Sequence, residues 1–224
     1  ASLLADRDPE VRQAAADAVR GLGPAAVTAP ILSALALLLA DSNGLVRFSA
    51  YNALGWLGTK TPGPILSVLV RLLADKNANS LSKSGAAYAL GRLGPAALTE
   101  PILDLLTDLV ADKDPDVRQA TAYALGAVGA AAHSNQFQSA LMRLLGDEKH
   151  AVRTEAVRVV GRMGPAAATG PFLNMLARCL KTGDFDLRVA TMRAVGELGP
   201  AAATQPILDA LSCELALGIE DAAR

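Results

Sequence analysis

Apolar residues recur along the chain at three- and four-residue steps, in blocks that themselves repeat. From Pro101 the apolar positions are Ile102, Leu103, Leu106, Leu109 and Val110, the spacing of one face of an amphipathic helix. A second block follows from Asp112, in which Val117, Thr121, Ala124, Leu125 and Val128 share a face of the same period. Together the blocks predict a helical hairpin. The second block, "DKDPDVRQATAYALGAVG", has near-copies beginning at Asp6, Asp41 and Asp147. Prolines ahead of the first helix fall at Pro30, Pro64, Pro101, Pro171 and Pro206, with Gln136 in the equivalent place, at separations of 34, 37, 35, 35 and 35 residues. The period is 35, with one deletion before Pro64 and a two-residue insertion in "DKNANSLSK".

The boundaries carry ordinary helix signals. Proline is tolerated in a first turn, and Thr28, Thr99, Thr169 and Thr204 stand two residues earlier as predicted N-caps. Each second helix should end at Gly23, Gly58, Gly94, Gly129, Gly164 or Gly199 in a left-handed cap. The recurring glycine pairs are therefore read as structural and not as a phosphate clamp. The column Ala18, Ala53, Ala89, Ala124 and Ala194 stays small, which predicts close approach of a neighbouring backbone. A hairpin of this size cannot bury its apolar face alone, so copies must stack. The expectation is one all-α solenoid over residues 1–224, with about six repeats, twelve helices and boundaries near 29, 63, 100, 135, 170 and 205. "ASLLAD" at the start matches the ends of first helices such as "VRLLAD", so the chain reads as a piece of a longer array.

The pattern "PILxxLxxLLAD…DPxVRxxAxxALGxLG" resembles HEAT repeats, in particular the short bacterial type found in phycobilin lyase subunits, over essentially the whole chain. The signature residues of tetratricopeptide and ankyrin repeats, whose periods are similar, are absent. The resemblance implies that second helices line a concave surface and that an Asp–Arg ladder runs along the stack. Candidates for that ladder are Asp6, Arg12, Asp41, Arg47, Asp112, Arg118, Asp147 and Arg153. Arg188 continues the arginine column, which is placed second in its helix, while Lys83 replaces it once and the acid is displaced to Asp75 or lost at Thr182. An arginine near a helix N-terminus opposes the dipole, and an acid in the preceding turn offsets that.

Hydrophobic residues make up 51% of the chain but aromatics only 4%, which suits closely packed helices. The net charge of −1 gives no global pull toward nucleic acid or anionic membrane. Cys179 and Cys213 form no CxxC pair and read as reduced thiols of a cytoplasmic, intracellular protein. His133 and His150 stand apart from any ligand set and read as surface residues, and no nucleophile, Walker-type or paired-carboxylate motif appears. No cofactor, metal or catalytic function is expected, and no apolar run reaches membrane-spanning length.

Function should sit where residues vary within the fixed frame. On each second helix one stripe faces away from the core, and it carries Phe48, Asn52, Trp56, Tyr88, Arg92, Tyr123, Arg158, Arg162 and Arg193. Aromatic residues with arginine make interface hot spots. The expected function is a protein-interaction module or scaffold taking a protein or peptide on this stripe, with Trp56 and Tyr88 on one shared surface. Alternatives are nucleic-acid binding as in HEAT-like alkylpurine DNA glycosylases, which the charge disfavours, and a bilin-lyase-like subunit.

Overall fold

The structure, a computed structural model, describes residues 2–97, 99–127 and 134–212. Val128, Gly129, His133 and Cys213 lie outside the described residues. Eleven helices are described in full: α1 (Pro9–Leu22), α2 (Ala29–Leu38), α3 (Gly44–Gly58), α4 (Pro62–Ala74), α5 (Ser80–Leu93), α6 (Glu100–Leu109), α7 (Pro115–Gly126), α8 (Asn135–Leu145), α9 (His150–Arg162), α10 (Gly170–Thr182) and α11 (Phe185–Leu198). A twelfth is described over 205–212, and no strand occurs among the described residues. The fold is an all-α repeat solenoid.

The chain divides into two compact units, Ala1–Val128 and Gly129–Arg224. In the first, the second helices α1, α3, α5 and α7 pack side by side, and the first helices α2, α4 and α6 form a layer against them. In the second unit α9 packs on α11, each paired with its first helix, α8 or α10. The buried faces follow the predicted columns: Leu35, Leu54, Leu69, Leu106 and Leu125 are fully buried in the first unit, and Leu141, Val160 and Leu176 in the second. Burying a side chain of this size stabilises a fold by about 1.5–3 kcal/mol.

Three features of the hairpin differ from expectation. Thr28, Thr99 and Thr169 do occupy N-cap positions in extended backbone, but their hydroxyls make no capping bond. The Thr204 hydroxyl is buried without a partner. Among the first helices Ser134 caps α8, accepting the Phe137 N–H, and the other side-chain caps belong to second helices, through Asp8, Asn43, Asn79, Asp114 and Asp184. The glycine caps do have positive φ at Gly23, Gly94, Gly164 and Gly199. Their ψ, −176° at Gly94 and −151° at Gly199, lies in a glycine-only region outside the left-handed helical well. Gly58 is not such a cap, because α3 continues through it. A side chain there would run into Leu93, 2.7 Å from the added carbon. Finally, a short 3-10 turn follows the cap at Gly23–Ala26, Pro95–Ala97, Gly164–Ala167 and Gly199–Ala202. Its last alanine is buried each time, so these repeats contain a third small element.

The other glycine of each pair explains the alanine column. A Cβ on Gly91 would lie 2.6 Å from the Tyr123 ring and 3.1 Å from Cα of Ala124. A Cβ on Gly161 would lie 2.9 Å from Cα of Ala194. Glycine on one second helix lets the alanine of the next come to backbone distance. Ala53, Ala89, Ala124 and Ala194 are accordingly buried, whereas Ala18 on α1 is exposed.

Candidate functional site

The arginine column stands fourth in its helix, not second: α1, α3, α7, α9 and α11 all begin three residues before Arg12, Arg47, Arg118, Arg153 and Arg188. From there the guanidinium reaches back over the helix start. Arg12 donates to the carbonyls of Asp6 and Arg7 at 2.8 and 3.0 Å. Arg47 does the same to Asp41 and Ser42, Arg118 to Asp112 and Lys113, and Arg153 to Asp147 and Glu148. Loop carbonyls that no helix can satisfy thus receive a charged donor. The acid's carboxylate turns elsewhere. Asp41 accepts the backbone N–H of Asn43 at 2.9 Å, and Asp112 likewise accepts that of Asp114.

Between repeats, Arg12 meets Asp41 of the next copy through two bonds of 2.7 and 2.9 Å. The Arg12 guanidinium holds the Asp41 carboxyl below its ordinary range, overcoming the opposite effect of burial. Lys83 lies 3.7 Å from Asp112 of the following copy. At the two-residue insertion the link lapses: among the described residues no ion pair joins Arg47 to Asp75. The two-bond Arg12–Asp41 contact joins neighbouring copies, while inside four copies the arginine's bond is to the acid's carbonyl.

In the first unit the stripe is aromatic. Phe48 meets Tyr51 edge-on with ring centroids 5.3 Å apart. Tyr51 stacks on Tyr88 at 5.3 Å and 27°, and Tyr88 tilts against Tyr123 at 5.4 Å and 53°. Four rings therefore run from α3 across α5 to α7. Beside them lies a groove of about 350 Å³, lined by Leu45, Phe48, Tyr51, Leu81, Tyr88 and Gln119 among others, with Arg47 and Asp116 as its charged lining. Phe48 is 53% exposed and Leu45 62%. Burial pushes the Tyr51 phenol up, against the pull of nearby Arg92, and keeps it protonated as a donor.

Trp56, 41% exposed, sits over Gly23 of the preceding copy, its ring 3.7 Å from where a side chain on that glycine would begin, and the ring stacked on Tyr88 is that of Tyr51. One expectation about this surface is corrected. Asn52 is buried, 6% exposed, with its Oδ1 unpartnered. Tyr51 was missed because it stands one position before the stripe; the aromatic pair Phe48 and Tyr51, three apart on one helix, was the available signal.

In the second unit the stripe is charged and internally paired. Arg158 and Arg162 both donate to Glu155, at 3.3 and 3.0 Å. Glu155 is only 6% exposed, in a column that elsewhere holds Ser49, Gly85, Ala120 and Ala190. The basic face expected from Arg158 and Arg162 is thus partly neutralised by a buried acid. Arg193 is exposed on α11, as is His150 at the start of α9. Burial pushes the Cys179 thiol up, away from thiolate chemistry. No helix among the described residues is long and apolar enough to cross a membrane.

The family model for HEAT repeats matches residues 1–91 and 103–179. Comparison with curated proteins finds no match. Among solved structures, an engineered protein is 22% identical with a TM-score of 0.55, covering 89% of this chain and 95% of that one. A designed armadillo repeat protein in complex with the peptide (KR)4 is 20% identical with a TM-score of 0.54, covering 88% and 97%. Kap121p bound to Nup53p is 19% identical with a TM-score of 0.65, covering 95% of this chain and 24% of that one. At such identities the likeness is one of fold.

Proposed function

The chain belongs to the HEAT-repeat family, and from that premise we propose that it is a protein-interaction module whose docking surface is the aromatic stripe of α3, α5 and α7. The observation that carries this reading is the ring run Phe48–Tyr51–Tyr88–Tyr123 beside a groove whose Leu45 and Phe48 face water. Large apolar side chains grouped at an exposed groove are what an interface core requires. The arginine and acid columns supply the frame: their hydrogen bonds lie within loops and between copies. The similar armadillo design carries a bound peptide, which supports a segment, not a small metabolite, as the kind of partner.

Selection of peptides from a random displayed library against the intact chain tests the reading. Selected peptides should bind Phe48→Ala at least about tenfold more weakly, the scale of a lost aromatic hot spot. Asp104→Ala, on the exposed side of α6, should leave them bound. If every selected peptide binds Phe48→Ala as tightly as the original chain, the docking surface lies elsewhere.

A further inference from the structure

Resting on that docking surface, we infer that the segment it takes carries an Asp or Glu, whose carboxylate is received by Arg92 in the last turn of α5.

The arginines and lysines on the four second helices of the first unit are Arg12, Arg20, Arg47, Lys83, Arg92 and Arg118. All but Arg92 are engaged. Arg12 pairs with Asp41, Arg20 with Asp17 and Lys83 with Asp112. Arg47 and Arg118 donate to loop carbonyls. Arg92 is exposed, and among the described residues no hydrogen bond or ion pair engages it. A nucleic acid would need a row of such cations. A single carboxylate needs one.

The Arg92 stem is already laid down. Its Cδ lies 3.5 Å from where a side chain on Gly55 of α3 would begin, so the glycine leaves room for the stem to cross onto the neighbouring helix. A side chain held in this way loses less freedom when it engages a partner. Tyr88, a groove residue, stands one turn before Arg92, about 6 Å along the helix axis. The Arg92 charge is near enough to pull on the Tyr51 phenol, so it borders the rings, where a partner's approach would exclude water and strengthen an ion pair. The groove itself is lined by one charge of each sign, Arg47 and Asp116, and Arg92 adds an uncompensated positive one. In the second unit the equivalent residue is Glu197, whose carboxylate lies over Gly161. The position over this glycine accepts either sign within one frame, which leaves its charge free for recognition.

Parallel selections from one random displayed peptide library, on the intact chain and on Arg92→Glu, test the inference. Peptides selected on the original chain should carry Asp or Glu. Changing that acid to its amide should weaken binding at least about tenfold, the scale of a charge-assisted hydrogen bond. The same change should matter little to Arg92→Gln, which keeps most of the stem and removes the charge. Arg92→Lys should retain part of the binding. Selection on Arg92→Glu should yield Lys or Arg in place of the acid. If the peptides lose binding to Phe48→Ala but tolerate loss of their acid, or carry Lys or Arg and depend on Asp116, the docking surface stands and the inference falls. It falls equally if the acid is needed but Arg92→Gln binds as tightly as the original chain. If binding is indifferent to both Phe48→Ala and Arg92→Gln, or no peptide is selected, the surface and the acid fall together.

Discussion

The two units use one frame to present opposite chemistry. In the first, four rings lie in contact across three second helices. In the second, the corresponding turns of α9 carry Arg158 and Arg162 on a buried Glu155. Beneath both, glycine meets alanine at backbone distance, as Gly91 meets Ala124 and Gly161 meets Ala194. The comparison separates what stacking demands from what stacking leaves free. Positions between helices are held to the smallest residues, and positions one turn away accept rings or charges without change of fold.

The largest effect should come from breaking the shared frame. Gly91→Val and Gly161→Val each force a branched side chain into space where even a Cβ is crowded. Each should cost about 3 kcal/mol, the upper part of the range for overpacking, measured by urea denaturation. If one costs that much and the other almost nothing, the units do not share a packing rule.

Next comes the aromatic side of the comparison. Tyr88 touches rings on both sides, Tyr51 and Tyr123, and is half-buried. Tyr88→Ala should cost about 2 kcal/mol, combining lost burial with two ring contacts worth about 0.5–1.5 kcal/mol each at most. Tyr88→Phe should recover most of it. A Tyr88→Ala chain as stable as the original would mean that the rings sit on the surface without contributing to the stack.

How legible this was in the sequence depends on the range of the interaction. Period, helix pairing and buried columns were readable because each follows from spacing along one helix. The arginine column was visible too, but its partners were not. The pairing of Arg12 with the carboxylate of Asp41 spans 29 residues, and the bond to a backbone carbonyl at Asp6 leaves no trace in residue type. The capping column Asp8, Asn43, Asn79, Asp114 and Asp184 was equally readable, two residues beyond Asp6, Asp41, Asp112 and Thr182 and four beyond Asp75. Tyr51 and Glu155 could not be ranked from one helix alone, since a ring stacks, and an acid pairs, only once neighbouring turns and copies are in place.

A smaller effect concerns Asp41. Its carboxyl titrates below the ordinary value, chiefly because Arg12 donates to it. A carboxyl depressed in the folded state adds stability that is complete above its unfolded value, about 3.9, and is lost as pH falls through its folded value. Thermal melts of Asp41→Asn should therefore fall below those of the original chain at neutral pH and converge with them as pH drops below about 4. Curves that stay parallel across that window would remove the pair from the acid response.

The smallest effect is a difference between two deletions in the second unit. Glu155→Ala and the double change Arg158→Ala with Arg162→Ala remove the same hydrogen bonds, yet they should not cost the same. The side chains of Arg158 and Arg162 are 57% and 41% exposed, and that of Glu155 only 8%. Freed from Glu155, the exposed Arg158 turns to water, and the column gains the alanine that Ala120 and Ala190 already show it accepts. Glu155→Ala should thus stay within about 1 kcal/mol, the scale of exposed ion pairs. Removing both arginines instead leaves a carboxylate buried without its cations. That state is disfavoured beyond the lost bonds, so the double variant should be less stable than Glu155→Ala by about 1 kcal/mol. Adding Glu155→Ala to the double variant should restore the difference. If the double variant is the more stable of the two, Glu155 is solvated in solution, and the charged face of the second unit is as open as the aromatic face of the first.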